Sequence, residues 1–161
     1  MKKYSNEVKF KMKIKRNPLI FHNVLSVKVT CKTNEWVNHA RKLRNSIIKN
    51  GLYATGPVIY TVENTNNEDN TAKVGIYIPV NAEIDLKTND KYVFMKELKF
   101  SDGLTLRHAD LDDDIETITY DTLRAAAGNY NLKLVEPFYN IYLDVFGDGV
   151  IDVYAPIEKN I

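Results

Sequence analysis

The chain repeats itself, and the repeat limits what it can fold into. Each of two helical stretches is followed by a proline, a strand, a turn and a second strand that closes on another proline. The first copy reads GPVIYTVE, a polar loop, then VGIYIPV; the second reads EPFYNIYLD, a turn, then VIDVYAPI. Pro57 matches Pro137 at a shift of 80 residues and Pro79 matches Pro156 at a shift of 77, the hairpin loop absorbing the difference. A repeat of this kind uses one supersecondary unit twice, each copy burying its apolar face with the help of the other. The 161 residues accommodate two such units around one core.

The periodicity supplies the elements of each unit. Val8, Phe10, Met12 and Ile14 alternate with Lys9, Lys11, Lys13 and Lys15, which predicts a strand over 8–15 with one wet face. Residues 1–16 carry seven Lys or Arg against one Glu, although the whole chain has a net charge of only +1. Lysines that alternate with apolar residues suit a protected edge strand better than a nucleic-acid strip, because no interleaved aromatics or arginine forks accompany them. After Asn17-Pro18 a second strand places Leu25, Val27, Val29 and Cys31 on one face. Asn34 is the expected N-cap of a helix with Trp36, Ala40, Leu43 and Ile47 on its inner face, Trp36 anchoring it and Asn50-Gly51 ending it. Strands over 58–63 and 73–79 follow, joined by a polar loop at 64–71.

The second copy begins with strands over 91–100 and 104–109, broken at Asp102-Gly103. A helix is expected from Asp112, Asp113 and Asp114, with Asp113 and Glu116 at capping-box spacing. Ile115, Ile118, Leu123, Ala126, Ala127 and Tyr130 carry it onward. Strands over 138–145 and 150–156 turn at Gly147-Asp148-Gly149. The predicted class is therefore α+β, a single domain of two β-α-β-β units, residues 1–86 and 87–161, built from antiparallel strands.

Several chemistries find no support. Cys31 is the only cysteine, so an internal disulfide is impossible and a cysteine-based zinc site lacks a second thiolate. The N-terminal run has lysines but no uninterrupted apolar core, and no stretch nears 18 apolar residues, so the chain is expected in the cytoplasm without membrane contact. The aspartate run 112–114 fits a helix start better than a metal site. DVFGDGVID lacks the alternating acids of a calcium loop and fits a hairpin. His22, His39 and His108 form no local dyad with Cys31, which is expected as a buried small hydrophobe. There is no nucleophile elbow, phosphate loop or zinc-protease helix, hence no catalytic residue, cofactor or metal to propose.

Gly56-Pro57 leading into a strand, Ile76-Tyr77-Ile78-Pro79, the segment 137–144 and Ile151-Asp152-Val153-Tyr154-Ala155-Pro156-Ile157 together resemble the bacterial GyrI-like effector-binding family. Its members occur alone as gyrase-inhibitor proteins and as sensing modules of multidrug-responsive activators. The resemblance covers nearly the whole chain. It implies an approximate twofold between the units, helices outside and a ligand cleft between them. It also implies a stand-alone module, since two repeats leave no room for a helix-turn-helix and any regulatory role would need a DNA-binding partner. Where the family commonly places a cleft-facing glutamate, this chain has Asn140, which removes the charge that meets cationic ligands and the group to which hydrolysis by some relatives is ascribed.

Strand alternation on 139–145 suggests that Tyr139, Ile141, Leu143 and Val145 face the helices, leaving Phe138, Asn140 and Tyr142 on the opposite side. On 150–156, Ile151, Val153 and Ala155 are the core set, with Asp152 and Tyr154 opposite. The repeat adds Tyr60 as the match of Asn140 and Tyr77 as the match of Tyr154. The candidate ligand-binding set is thus Tyr60, Tyr77, Phe138, Asn140, Tyr142, Asp152 and Tyr154, a mostly aromatic group with a few polar members. The same tyrosines equally suit packing of a seam between units. The function expected is non-catalytic binding of a small apolar or aromatic effector, with regulation through a protein partner and no direct nucleic-acid contact. The alternative is an interaction or assembly accessory factor with a degenerate cleft, as in a bacterial secretion locus.

Overall fold

The computed structural model describes residues 13–87 and 91–159. Among them eight strands make one antiparallel sheet: β1 (Lys15–Arg16), β2 (Leu19–Lys32), β3 (Ile59–Asn66), β4 (Thr71–Pro79), β5 (Tyr92–Phe100), β6 (Gly103–His108), β7 (Tyr139–Val145) and β8 (Asp148–Pro156). Their order is β1-β6-β8-β7-β3-β4-β2-β5. Two helices complete the fold among the described residues. A 3-10 turn, Thr33–Glu35, leads into α1 (Trp36–Lys49), and a π turn, Glu116–Tyr120, leads into α2 (Asp121–Asn129). The β-α-β-β unit occurs twice, as β2-α1-β3-β4 and β6-α2-β7-β8. Residues 8–12 of the expected first strand lie outside the described residues; Lys15 and Arg16 pair at the sheet edge with Thr105 and Leu104.

The repeat shifts read from the prolines recur in the backbone pairing. Ala54 bridges Val80 and Leu134 bridges Ile157, matching at 80 and 77 residues. Tyr60 pairs with Ile76 and Asn140 with Val153 at the same offsets. The helix ends match too: Leu52 N–H donates to Ile47 C=O and Leu132 N–H to Ala127 C=O. The left-handed residue that closes each helix is Gly51 (φ 77°) in one unit and Asn131 (φ 55°) in the other. The units meet where β3 pairs with β7, Ile59 opposite Ile141 and Tyr60 opposite Asn140. Because Tyr60 and Asn140 are repeat equivalents, the approximate twofold passes through that pair.

Two short corners curl the sheet. Asn17-Pro18 separates β1 from β2, and Ser101-Asp102 separates β5 from β6, yet each pair of strands lies at opposite ends of the sheet order. The corners are tied together: Asn17 N–H donates to Gly103 C=O (3.0 Å), and Arg16 forms a fork with Asp102 at 2.7–3.2 Å. Phe100 on edge strand β5 touches Tyr139 of β7 and Tyr154 of β8, with ring centroids 5.0 and 5.9 Å away, contacts that require the sheet to fold over itself.

Curling gives the sheet two apolar faces. The helix-side core contains Leu25, Val27, Cys31, Leu43, Ile47, Ile76, Ile78, Leu106, Leu123 and Val153. The inner face of the curl holds Val24, Ile59, Tyr77, Leu98, Ile141 and Tyr154, with Phe21, Phe100, Tyr139 and Leu143 against them. On β2 the face changes at Asn23, whose positive φ of 54° lets Phe21 and Val24 both point inward.

Three local expectations change. The β7–β8 hairpin turns at Phe146-Gly147, with φ of 53° and 88°, rather than at Gly147-Asp148-Gly149. Asn34 lies inside the 3-10 turn, where the Glu35 carboxylate accepts the Lys32 N–H instead. Asp113 forms no capping box with Glu116: its N–H donates to the Asp110 carbonyl at 3.1 Å, and the chain enters α2 through the wider π turn.

The glycines yield a paired test. A Cβ on Gly103 would overlap the ring of Tyr154, which is fixed by burial and by donating to Asn17 C=O at 2.8 Å. Gly103→Ala is expected to cost about 1–3 kcal/mol through overpacking. A Cβ on Gly128, in α2, meets nothing within 4 Å, so Gly128→Ala should stabilise by roughly 0.5–1 kcal/mol. Urea unfolding midpoints of the two variants measure both effects, with opposite signs.

Candidate functional site

A cleft of about 790 Å³ opens between α1 and the segment that leads from β6 into α2. Its floor is aromatic and its two walls come from different units. Trp36 stacks on Tyr60 with centroids 4.3 Å apart and planes 12° from parallel, and meets Tyr142 at 5.6 Å and 58°. Val58, Ala40 and Ile151 complete the apolar lining. Burial raises the Tyr60 phenol to about 12, so it stays neutral near physiological pH.

The rim is polar. Arg41 and Arg44 line the α1 side; His108, Asp113 and Asp114 line the other. His108 is almost wholly buried, with Nε2 3.0 Å from the Asp113 carbonyl and Nδ1 2.7 Å from Thr119 Oγ1. A carbonyl only accepts, so Nε2 carries the hydrogen, and in the neutral ring Nδ1 accepts from the Thr119 hydroxyl. Both nitrogens are occupied in holding the approach to α2.

Asn140, on the twofold, is fully buried, and both polar atoms of its side chain are hydrogen-bonded. Its Oδ1 accepts from the Tyr120 hydroxyl at 2.6 Å and its Nδ2 donates to the Tyr60 carbonyl at 3.1 Å. The carbonyl fixes which end of the amide is which. Burial pushes the Tyr120 phenol up, with Tyr60 and Glu116 acting in the same direction, so the hydroxyl remains a donor.

The structure divides the seven residues expected from the sequence between two faces. Tyr60, Phe138, Asn140 and Tyr142 lie on the helix side, and of these Tyr60 and Tyr142 line the cleft. Tyr77 and Tyr154 belong to the inner face of the curl, and Asp152 is held by Arg107 at 2.8 Å. The face assignment of β7 is therefore reversed: Tyr139, Ile141 and Leu143 point into the curl, while Phe138, Asn140 and Tyr142 point toward the helices. Both faces are apolar, so alternation alone did not distinguish them. Trp36 does join α1 to the sheet, stacking on Tyr60 of β3 and packing against the core, but it is half-buried and also faces the cleft, while Ala40, Leu43 and Ile47 are the buried residues of α1. His108, Arg41 and Arg44 were not anticipated. A comparison of the two repeats residue by residue would have marked the arginines.

Cys31 is buried, and burial, aided by Glu35, raises its thiol and so disfavours thiolate. Among the described residues no group of three or more His, Cys, Asp or Glu is placed to hold a metal, and no helix is long and apolar enough to cross a membrane.

A curled antiparallel sheet with two helices is the GyrI-like α+β fold, and solved structures share it. The C-terminal domain of EcmrR superposes with a TM-score of 0.71 at 13% identity, covering 93% of this chain and 99% of that one. EcmrR in its DNA complex gives 0.74 at 13% identity, covering 99% of this chain, which spans 63% of that EcmrR chain. A hydrolase encoded by lin2189 of Listeria innocua gives 0.51 at 11% identity, over 97% of this chain and 98% of that one. No curated protein matches the sequence. The chain belongs to the family described as Domain of unknown function (DUF5085), whose model matches residues 20–160.

The Asn140 environment predicts a pH-dependent variant. In Asn140→Asp the protonated carboxyl reproduces both hydrogen bonds, whereas the ionised form sets a buried carboxylate against the Tyr60 carbonyl. The introduced group thus has a folded pKa above its unfolded value of about 3.9. Its stability is fully present below pH 4, where both states are protonated, and is lost as pH rises toward the folded pKa. Denaturation at several pH values should show near-parental stability at pH 4 and a deficit growing by about 1.4 kcal/mol per unit above it until the folded pKa is reached. A deficit independent of pH would mean the amide bonds are not what the position requires.

Proposed function

We propose that this protein is a non-catalytic small-molecule-binding module whose ligand occupies the cleft and whose bound state is passed to a regulatory partner. The observation that carries this reading is the 790 Å³ cleft floored by Trp36, Tyr60 and Tyr142. Its size, concavity and aromatic lining suit a drug-sized planar molecule. The reading is non-catalytic because Asn140 and His108 are consumed by structural hydrogen bonds, and an amide offers no acid–base chemistry. The cleft walls belong to different units, so a ligand that touches both favours one relative arrangement of them, which a partner can sense. The same fold in EcmrR forms part of a chain in complex with DNA, which supports a regulatory output here through a DNA-binding partner.

Trp36 is the only tryptophan, so its fluorescence reports on the cleft alone. A screen of aromatic compounds should find molecules that quench Trp36 and raise the melting temperature, by about 2.7 kcal/mol of stabilisation at 100 times the dissociation constant. Tyr142→Ala should weaken such binding about tenfold or more while the protein stays folded, as expected for loss of an aromatic contact. Stabilising compounds that leave Trp36 emission unchanged and bind Tyr142→Ala equally well would place the ligand elsewhere.

A further inference from the structure

The internal repeat shows what an arginine in the position of Arg44 does when it is satisfied. Its equivalent, 80 residues on, is Arg124, whose guanidinium meets Glu116 at 3.2 Å, Asp121 at 2.9 Å and Glu136 at 3.4 Å. Arg124 also lies over the rings of Tyr120 and Phe138. At the same shift, the first unit replaces Glu116 with Trp36, Asp121 with Arg41 and Glu136 with Gly56. All three carboxylates are gone and a second cation has been added. Among the described residues neither Arg41 nor Arg44 has a side-chain hydrogen bond or an ion pair, and both line the cleft.

The volume follows the same asymmetry. Tyr120 fills the seam of the second unit and bonds Asn140; its equivalent is Ala40, which lines the cleft. The first unit therefore has space and cations where the second has a phenol and carboxylates. The opposite wall already carries acid: Asp113 and Asp114 lie there, the Asp114 carboxylate accepting from Thr117 at 3.0 Å. The α1 wall thus lacks an acid, and the wall leading into α2 would reject one.

We propose that the ligand is a planar aromatic acid whose far end carries a hydrogen-bond donor, the ring on Trp36 and Tyr142, the acidic group on Arg41 and Arg44, and the donor toward Asp113 and Asp114. This rests on the cleft being the binding site and specifies its ligand class. Arginine's planar fork suits a carboxylate, sulfonate or phosphate, which supplies from outside what the chain supplies to Arg124.

Three probes with one ring separate the contributions: 5-aminonaphthalene-1-sulfonate, naphthalene-1-sulfonate and 1-aminonaphthalene, each titrated by Trp36 quenching at neutral pH. The aminosulfonate should bind tightest, the plain sulfonate a few-fold more weakly and the amine weakest, by about tenfold or more. The double variant Arg41→Gln, Arg44→Gln alters exposed helix positions, so circular dichroism should show an unchanged fold. It should lose about tenfold in affinity for both sulfonates and less than twofold for the amine. Raising salt from about 20 to 200 mM should weaken the sulfonates more than the amine. An amine that binds as tightly as the sulfonates, or a double variant that keeps its sulfonate affinity, overturns the acid assignment while leaving the cleft as the site. Failure of all three probes to quench Trp36 at millimolar concentration overturns both.

Discussion

The two halves of the sheet are joined by a short pairing of β3 with β7, in register at Ile59–Ile141 and Tyr60–Asn140, extended by the Tyr142 N–H to the Val58 carbonyl. Everything on the helix side is organised around that seam. A seam with few backbone hydrogen bonds needs side chains to hold it, and Asn140 does so by bonding the backbone of one unit and the Tyr120 phenol of its own. A neutral amide suits the place because it donates to a carbonyl and accepts from a hydroxyl at once. A carboxylate here would meet the Tyr60 carbonyl as one acceptor meeting another, at a fully buried site. The position that the family resemblance marks for charge is, in this chain, a structural fastener.

Closure of the curl is the complementary constraint. The chain passes from one sheet edge to the other twice, at Asn17-Pro18 and Ser101-Asp102, and the Arg16–Asp102 fork and the Tyr154 hydroxyl pin those corners. The Arg16 hydrogen bond holds the Asp102 carboxyl below its usual range. Close approach at this point leaves no room for a side chain on Gly103. Aromatic rings along the inner face, from Tyr77 through Tyr139 and Phe100 to Tyr154, then fill what would otherwise be a void.

Much of this architecture was legible in the sequence because repeats and turn residues act locally. Pro57 and Pro137, Pro79 and Pro156, and the Asn50-Gly51 stop mark element ends through backbone restrictions that tertiary context does not override. The candidate site was legible only in part. Alternation identifies strands reliably but identifies their faces only when one face is wet. Here β7 carries Tyr139, Ile141 and Leu143 on one side and Asn140 and Tyr142 on the other, with Phe138 just before it on the latter side, and both sides are covered. Tyr77 and Tyr154 were correctly matched as repeat equivalents, yet both lie in the curl, away from Tyr60. His108 was invisible as a cleft residue because its role depends on Asp113 and Thr119, which only the turn into α2 brings to it.

Pseudo-symmetry is most informative where it fails. The backbone keeps its offsets through bridges, hairpins and helix ends, so substitutions between equivalent positions are not a consequence of drifting geometry. Around the seam those substitutions are concerted. Tyr120, Glu116, Asp121 and Glu136 make the second unit a closed, internally paired surface, with Arg124 at its centre. Ala40, Trp36, Arg41 and Gly56 occupy the same four positions in the first unit, and they open a cleft while leaving two cations on its wall. Any one change would leave a hole or an unpaired charge. Together they exchange a self-satisfied half for an open one, against an unaltered frame that keeps the Trp36–Tyr60 stack beside the twofold.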